Sequence, residues 1–336
     1  MTTPLTRDQR AAVLAGFLGW MLDAFDYFLV VMTLTAIAQE FTRSDADVAS
    51  SLTLTLAFRP LGALGFGLLA DRYGRRRPLM VNLVFYSVVQ VCSGLAPTFA
   101  SFLAFRALFG IGMGGEWGIG ASLVMEKVPA ERRGVFSGLL QQGYAAGFLL
   151  AAICYFVVFP RWGWRPLFFI GGLPALLAVY VRSQVQESEV WVRTRHTTWS
   201  GLGRALATNW RTFLYLVLLM ALMNAVSHGT QDLYPTFLQR DWHLGAGTRA
   251  AITALSMLGA LTGGILCGLY SDRLGRRRTI VLALIGAVLL IPLWVFAPSL
   301  PLLIGGAILM QFMVQGAWGV IPAHITELSP DSVRGS

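Results

Sequence analysis

The chain has 336 residues, of which 55% are apolar and 13% are charged, and its mean hydropathy is +0.62. Soluble domains carry about 25% charged residues, so this composition excludes a soluble protein and predicts one that is embedded in a lipid bilayer. The net charge of +9 does not indicate a nucleic-acid partner, because the basic residues lie in short turns between apolar segments.

Apolar segments follow one another along the whole chain. A helix needs about 20 mostly apolar residues to cross the hydrocarbon core, and ten segments meet this criterion. None has the form of a cleaved signal peptide. The sequence therefore predicts an all-α, multi-pass membrane protein with spans at 12–38, 48–70, 79–97, 99–125, 134–158, 164–184, 211–238, 247–270, 280–297 and 300–326.

The basic residues predict the orientation of these spans. Most of the 26 lysines and arginines lie in the N-terminal tail and in the even-numbered turns, and only Arg59 and Arg106 lie within spans. Cytoplasmic loops are enriched in lysine and arginine. We therefore predict an integral protein of the plasma (inner) membrane with a cytoplasmic N-terminus.

The two halves of the chain repeat one sequence pattern at a distance of 201 residues. Gly-x-x-x-Asp-Arg-x-Gly-Arg-Arg-Arg occurs at 67–77 and again at 268–278. We predict an N-terminal six-helix bundle at 1–184, a cytoplasmic linker at 185–210 and a C-terminal bundle at 211–336. By symmetry the second bundle should continue through two further helices, to about position 385, so we expect only ten of twelve helices in this chain.

Two parallel six-helix repeats with this pattern resemble the major facilitator superfamily. In that superfamily, an aspartate at the cytoplasmic end of the second helix of each half meets the N-terminus of a helix from the other half. A carboxylate at a positive helix end, flanked by arginine, forms a charge-assisted latch. The resemblance implies that Asp272 faces the start of the fifth helix near Gly134, and the arginines also serve orientation by positive charge. The implied latch residues are Asp71, Arg72, Arg75, Asp272, Arg273 and Arg276.

Several ionisable residues lie inside spans of one half only. An ionisable group in a transmembrane helix costs at least about 2.5 kcal/mol unless it is paired or faces water, so such groups usually line a pathway. Asp23 and Asp26 lie three positions apart on one face of the first helix. The other such residues, Arg59, Arg106 and Glu116, align with alanines in the second half. We predict that Asp23, Asp26 and Glu116 take part in proton coupling, although Glu116 fits a structural role equally well.

The run that begins at Arg106 resembles the fourth helix of proton-coupled sugar porters, in which an arginine governs an aspartate of the first helix. This resemblance implies that Asp26 and Arg106 form a coupling pair. An arginine that approaches or leaves a carboxylate changes the proton affinity of that carboxylate, which proton coupling requires. The alternative is a static network of salt bridges.

The seventh span carries a polar face. At 100° per residue, Asn224, Ser227, His228 and Gln231 lie within about a 100° arc, and Asp232 lies just beyond it. Hydrogen-bonded contact between helices is the structural alternative. The string that begins at Asn224 resembles the lactate permeases of the sialate:proton symporter family. This resemblance implies that its asparagine, histidine, glutamine and aspartate bind a carboxylate and couple it to protons.

Together these residues predict proton-coupled symport of a small carboxylate such as lactate or pyruvate, by two halves that rock about the site. Import of an anion against an inside-negative potential costs about 2.3 kcal/mol per charge per 100 mV, and one accompanying proton cancels this cost. Arg59 or Arg106 would attract the carboxylate, and His228 with Asp232 or Asp26 would hold the proton. The predicted substrate-binding residues are Arg59, Arg106, Asn224, Ser227, His228 and Gln231.

Two other functions stay open: a transporter of another organic acid or a sugar, such as a sialic or aromatic acid, and a membrane receptor that does not transport. The sequence shows no catalytic nucleophile, phosphate loop or metal cluster, so we predict neither an enzyme nor a cofactor or metal. Cys92, Cys154 and Cys267 are isolated within hydrophobic spans.

Overall fold

The computed structural model describes residues 4–194, 199–231 and 234–330. These residues form α-helices and one 3₁₀ turn, and no strand occurs among them. In chain order the elements are α1 (Arg7–Glu40), α2 (Asp45–Tyr73), α3 (Arg76–Gly94), α4 (Phe99–Lys127), the 3₁₀ turn (Ala130–Arg132), α5 (Arg133–Trp162), α6 (Arg165–Ile170), α7 (Pro174–Gln184), α8 (Glu189–Thr194), α9 (Trp199–Thr208), α10 (Trp210–Gln231), α11 (Tyr234–Arg240), α12 (Ala246–Leu274), α13 (Arg276–Val295) and α14 (Leu300–Leu328).

The all-α, multi-pass membrane architecture is confirmed. Within the described ranges, nine helical segments are long and apolar enough to cross a bilayer, and they match nine of the ten predicted spans. The remaining predicted span, 79–97, forms α3, which is long enough but less apolar. Its polar side chains, Asn82, Ser87, Gln90 and Ser93, are buried inside the protein, so α3 turns its polar face away from lipid.

One predicted span is not a continuous helix, because the segment 164–184 is divided into α6 and α7. The predicted span 211–238 includes α10 and α11, and residues 232–233 lie outside the described residues. A proline inside a helix lacks the N–H donor and clashes with the carbonyl four residues earlier. Pro174 would meet the carbonyl of Ile170 in this way, which favours the end of α6 at that residue. Proline alone does not end a helix in this protein, because Pro60, Pro160, Pro292 and Pro322 lie inside continuous helices.

The structure divides into two compact units. Unit 1 comprises the described residues of Met1–Val128 and Gly143–Ala205 together with Pro330, and unit 2 comprises those of Pro129–Gln142 and Leu206–Ser329. The first turns of α5 therefore pack with unit 2, and the remainder of α5 packs with unit 1.

Apolar and aromatic clusters hold each unit together. In unit 1, one cluster joins α1, α3, α4 and α7, and a second joins α1 and α4 to α6 through edge-on and tilted rings. In unit 2, a smaller cluster joins α11, α12 and α14. Because lipid tails are as apolar as these side chains, close packing and internal hydrogen bonds drive such association.

Glycines let α2 and α4 cross at close range in unit 1. A Cβ at Gly110 or Gly114 would overlap the backbone carbonyl of Thr55 or Arg59, respectively. The Thr55 hydroxyl also donates to the carbonyl of Arg106 at 3.1 Å. This crossing fixes the position of Arg59, on α2, relative to Arg106, on α4.

Candidate functional site

The repeated sequence pattern builds the same ion cluster in both units. In unit 1, Arg75 Nη1 lies 2.5 Å from Asp71 Oδ1, and Arg75 Nη2 lies 3.0 Å from Glu126 Oε1. In unit 2, the equivalent Arg276 lies 2.6 Å from Asp272 Oδ1 and 2.9 Å from Glu327 Oε1. The two clusters differ in burial. The three side chains of unit 1 are 0% exposed, whereas those of unit 2 are 10–33% exposed.

A segment that follows α7 covers the unit 1 cluster. Glu187 accepts hydrogen bonds from the backbone N–H groups of Arg75 at 2.8 Å and Arg76 at 3.2 Å, at the positive start of α3. Gly74 has a φ of +98°, and a Cβ there would overlap the Glu187 carboxylate. Trp191 Nε1 donates to the carbonyl of Asp71 at 2.9 Å. The acidic run in the predicted linker was the available signal for Glu187, but sequence reasoning gave it no role.

Burial disfavours the charge of the Arg75 guanidinium. The carboxylates of Glu126 and Asp71 outweigh that effect and raise the pKa of Arg75 above its ordinary value. The Arg75 guanidinium therefore keeps its positive charge although its side chain is closed to solvent.

The aspartate of unit 2 contacts the start of α5, as the family resemblance implied. The backbone N–H of Gly134 donates to Asp272 Oδ1 at 3.0 Å. A Cβ at Gly134 would overlap the Gly268 carbonyl, so only glycine allows α12 to approach this closely. Arg72 lies half-buried at the end of α2, and Arg273 is exposed at the end of α12. The role of these residues as a latch stays a prediction.

Three acidic residues outside the cluster of Asp71, Arg75 and Glu126 are also fully buried in unit 1. Asp23, Asp26 and Glu116 are each 0% exposed. The four carboxylate oxygens of Asp23 and Glu116 accept no hydrogen bond from the described residues. The hydroxyl of Tyr86, which is also 0% exposed, has no partner among those residues either. Buried polar groups without partners are rare, and they mark places where water, protons or ligands complete the structure.

The two span arginines interact electrostatically with different acids. The Arg59 guanidinium lies 5.6 Å from the ring centroid of Trp20 and interacts electrostatically with Asp23 and Glu116. Arg59 is half-buried. It is therefore the more accessible of the two arginines, since Arg106 is 1% exposed.

An amide links Arg106 to the backbone of Asp26. Its Nη2 donates to Gln90 Oε1 at 2.5 Å and to Ser93 Oγ at 2.6 Å, and Gln90 Nε2 donates to the Asp26 carbonyl at 3.4 Å. The two charged groups form no direct ion pair within the described part of the chain. The predicted pair of Asp26 and Arg106 is thus an indirect one. Three phenylalanine rings enclose the guanidinium, with that of Phe109 at 4.5 Å.

Sequence reasoning missed the neutral members of this group. Gln90 aligns with Ile291 and Tyr86 aligns with Ala287, so both are polar in one half only. The comparison of halves that singled out the charged residues would have found them too.

The polar face of α10 contacts α14 in unit 2. Gln231 Nε2 donates to Gln311 Oε1 at 2.9 Å, and Gln315 Nε2 donates to Ser227 Oγ at 3.2 Å. Asn224 donates to a carbonyl of its own helix at 2.8 Å. His228 is half-buried on the same helix, and the predicted site residue Asp232 lies outside the described residues.

The two α14 amides were also missed. Gln311 and Gln315 align with Gly110 and Gly114 in the first half, so they are polar in one half only. Together with Asn224 and Gln231 on α10, they give this pair of helices four amide side chains.

A cavity of about 330 Å³ lies elsewhere in unit 2 and shares no residue with the α10 face. It is lined by Arg211, Thr212, Tyr215, Arg277, His324 and Leu328. The equivalents of Thr212 and His324 in unit 1, Ala11 and Leu123, are buried in one core with Val181 of α7. The cavity therefore occupies the place that α7 fills in the first half.

Gly19 offers a test of Glu116, because a Cβ at Gly19 would overlap Glu116 Oε1. We expect Gly19→Ala to displace the carboxylate with little change in thermal stability, since the end of a flexible side chain can move. The sequence predicts that Glu116 takes part in proton coupling, and on that prediction proton-driven uptake by Gly19→Ala should fall to that of Glu116→Ala, with no further loss in the double variant. Gly65→Ala is the matched control, because a Cβ there meets nothing within 4 Å. Additive losses in the double variant would contradict a shared cause.

Membrane-spanning helices, buried acids beside arginines and a twofold sequence repeat define a multi-pass membrane transporter. The family described as sugar (and other) transporter matches residues 11–200, and the major facilitator superfamily matches residues 217–336. The chain belongs to the sugar (and other) transporter family within the major facilitator superfamily, and it resembles the sialate:proton symporters. It is therefore a transporter and not an enzyme.

Two relatives of this chain have names that describe transporters of organic acids. It is 28% identical to a carboxylic acid transporter protein homolog of Saccharomyces cerevisiae over 95% of this chain, and it spans 56% of the length of that protein. It is 29% identical to the sialic acid transporter NanX of Escherichia coli, over 97% of this chain and 81% of the other.

The fold has solved counterparts. The proton:xylose symporter XylE, bound to 6-bromo-6-deoxy-D-glucose, superimposes with a TM-score of 0.73 and 20% identity, over 98% of this chain and 84% of that one. At this identity the likeness shows the fold alone. The resemblance to the major facilitator superfamily, first drawn from the repeated pattern, is confirmed.

Proposed function

We propose that the protein is a proton-coupled symporter of a small monocarboxylate such as lactate or pyruvate, and that it works by alternating access in the plasma (inner) membrane with a cytoplasmic N-terminus. One observation carries this proposal. In unit 1, Asp23 and Glu116 are buried without hydrogen-bond donors in the described part of the chain, beside the half-buried Arg59. Carboxylates in such surroundings are suited to bind and release protons.

The roles of the residues follow from their accessibility. Arg59 attracts the substrate carboxylate, because its guanidinium is the less enclosed of the two. Arg106 instead acts on Asp26 through Gln90, so a shift of that amide changes the electrostatic surroundings of Asp26. Enclosed charges act strongly on each other because little water screens them.

The α10 face supplies the polar contacts of the substrate. Asn224, Ser227 and Gln231 orient the acid, and His228 with Asp232 or Asp26 holds the proton. One proton per monocarboxylate makes the cycle electroneutral, so the membrane potential does not oppose import. The clusters around Asp71 and Asp272 then stabilise the inward-closed state.

Uptake of labelled L-lactate into liposomes that contain the purified protein tests the proposal. With one proton per substrate, an inward gradient of one pH unit should give about tenfold accumulation, since one pH unit is worth 1.36 kcal/mol. A potassium diffusion potential imposed with valinomycin should not change the accumulation ratio. Uptake that ignores the proton gradient, or that persists in the double variant His228→Ala, Asp232→Asn, would contradict the coupling scheme.

Transport of another organic acid or a sugar is the second candidate, and the similarity to NanX favours a sialic acid. Competition with labelled lactate separates the two candidates. Unlabelled pyruvate should inhibit uptake at lower concentrations than sialic acid, cis,cis-muconate or xylose. The reverse order would assign the site to the larger acid or the sugar.

A further inference from the structure

A directional chain of hydrogen bonds joins α14 to α10. Gln311 Nε2 donates to the backbone carbonyl of Thr230 at 3.3 Å, and Gln311 Oε1 accepts from Gln231 Nε2 at 2.9 Å. A backbone carbonyl can only accept, so it fixes which end of the Gln311 amide faces Thr230. The oxygen of Gln311 must then face Gln231, and Gln231 must present its NH₂ group to it.

This arrangement determines what Gln231 can offer to a ligand. One of its two N–H groups is engaged with Gln311, which leaves one N–H and the Oε1 acceptor. No side chain or backbone group in the described ranges donates to that oxygen. Gln231 is half-buried, whereas Gln311 is only 3% exposed. Gln231 is therefore the residue of the pair that a substrate can reach.

An acceptor and a donor on one amide do not match a bare carboxylate. A carboxylate has only acceptors, so it can use the N–H of Gln231 but is repelled by the oxygen. An acid that carries a hydroxyl group beside its carboxylate matches both groups. Its carboxylate accepts from the N–H, and its hydroxyl donates to Oε1.

We propose that Gln311 is a positioning residue that holds the Gln231 carboxamide in this orientation, and that the site thereby selects 2-hydroxy acids over the matching keto and deoxy acids. The inference rests on the proposed function and names the substrate class of the same site. A keto acid places an acceptor against Oε1, and a deoxy acid leaves Oε1 without a donor. Neutral hydrogen bonds contribute about 0.5–1.5 kcal/mol, which corresponds to a selectivity of roughly two- to tenfold.

Competition assays in liposomes measure this selectivity directly. In the wild-type protein, L-lactate should inhibit uptake of labelled L-lactate at a severalfold lower concentration than propionate, its deoxy analogue, or pyruvate, its keto analogue. In Gln311→Met, which has a similar volume but no hydrogen-bonding group, Gln231 can rotate and the ratio should fall to about one. Gln311→Asn, which is one methylene shorter and cannot reach both partners, should behave in the same way and guards against a folding defect in the methionine variant.

The conservative variant Gln311→Glu distinguishes positioning from simple packing. In its neutral acid form, the glutamic acid O–H donates to the Thr230 carbonyl and its C=O accepts from Gln231, so the wild-type ratio should be retained. A purely structural role for Gln311 would lower the uptake of all three acids together and leave their ratio unchanged.

The outcomes separate this inference from the function on which it rests. Proton-driven uptake with equal inhibition by lactate, propionate and pyruvate in the wild type overturns the inference and leaves the proposed function standing. A preference for lactate that is unchanged in both Gln311→Met and Gln311→Asn also overturns the inference and leaves the proposed function standing. Absence of proton-driven uptake of any carboxylate by the wild type overturns the proposed function, and the inference fails with it.

Discussion

Replacement of Arg75 by alanine is expected to cost about 3–5 kcal/mol of stability, because it removes the guanidinium that neutralises the buried carboxylates of Asp71 and Glu126. For a unit of this size, 1 kcal/mol shifts the midpoint of thermal unfolding by about 2–4 °C, so a decrease of roughly 10 °C is expected. Thermal unfolding of the purified protein in detergent micelles measures the effect.

The repeat supplies a matched control for this experiment. Arg276→Ala removes the same side chain from the same pattern in unit 2, where Glu327 is 33% exposed. Water can solvate the carboxylates that remain, so the loss should be near 1 kcal/mol, the upper range for exposed pairs. Equal decreases in the two variants would show that burial does not set the strength of these clusters.

Replacement of Asp26 by asparagine should abolish accumulation of substrate but not its exchange. The wild-type protein is expected to accumulate substrate about tenfold at an inward gradient of one pH unit, and the variant should reach a ratio of one. Asparagine keeps the shape of the side chain next to Gly171 and Gln90 but cannot carry a proton. Counterflow of labelled lactate into liposomes preloaded with unlabelled lactate, without a proton gradient, should persist.

Two comparisons make this test specific. Asp241→Asn removes an exposed acid and should leave both accumulation and counterflow unchanged. Loss of counterflow together with accumulation in Asp26→Asn would place Asp26 in substrate binding or folding. Full accumulation in that variant would remove Asp26 from the coupling scheme.

The membrane architecture could be predicted from sequence because a bilayer imposes a length and an apolar composition on every span. The same averaging over about 20 residues conceals local breaks. Pro174 removes one N–H and clashes with one carbonyl, which hardly changes the hydropathy of a window, and it begins α7 after the break that follows α6. A proline position alone does not predict such a break, because Pro60, Pro160, Pro292 and Pro322 lie inside continuous helices.

In unit 1, only the charged residues of the candidate site were predicted, whereas the polar face of α10 was predicted with its uncharged residues Asn224, Ser227 and Gln231. Asp23, Glu116 and Arg59 stand out because charge is expensive in hydrocarbon. Burial of an amide costs less free energy than burial of a charge, so Gln90 and Gln311 are harder to identify from sequence, although they are also polar in one half only. The indirect contact of Arg106 with Asp26 depends on side-chain conformations and on surrounding rings, which the spacing of residues along a helix does not encode.

The unequal burial of the two Asp–Arg–Glu clusters gives dissolved salt a selective effect. Counter-ions screen exposed charge pairs over a Debye length of about 8 Å at physiological ionic strength, but they cannot enter a dry cluster. The Asp272 cluster should therefore weaken as salt rises, whereas the Asp71 cluster should not respond. Two copies of one motif would thus give the carrier one salt-sensitive and one salt-insensitive ion cluster.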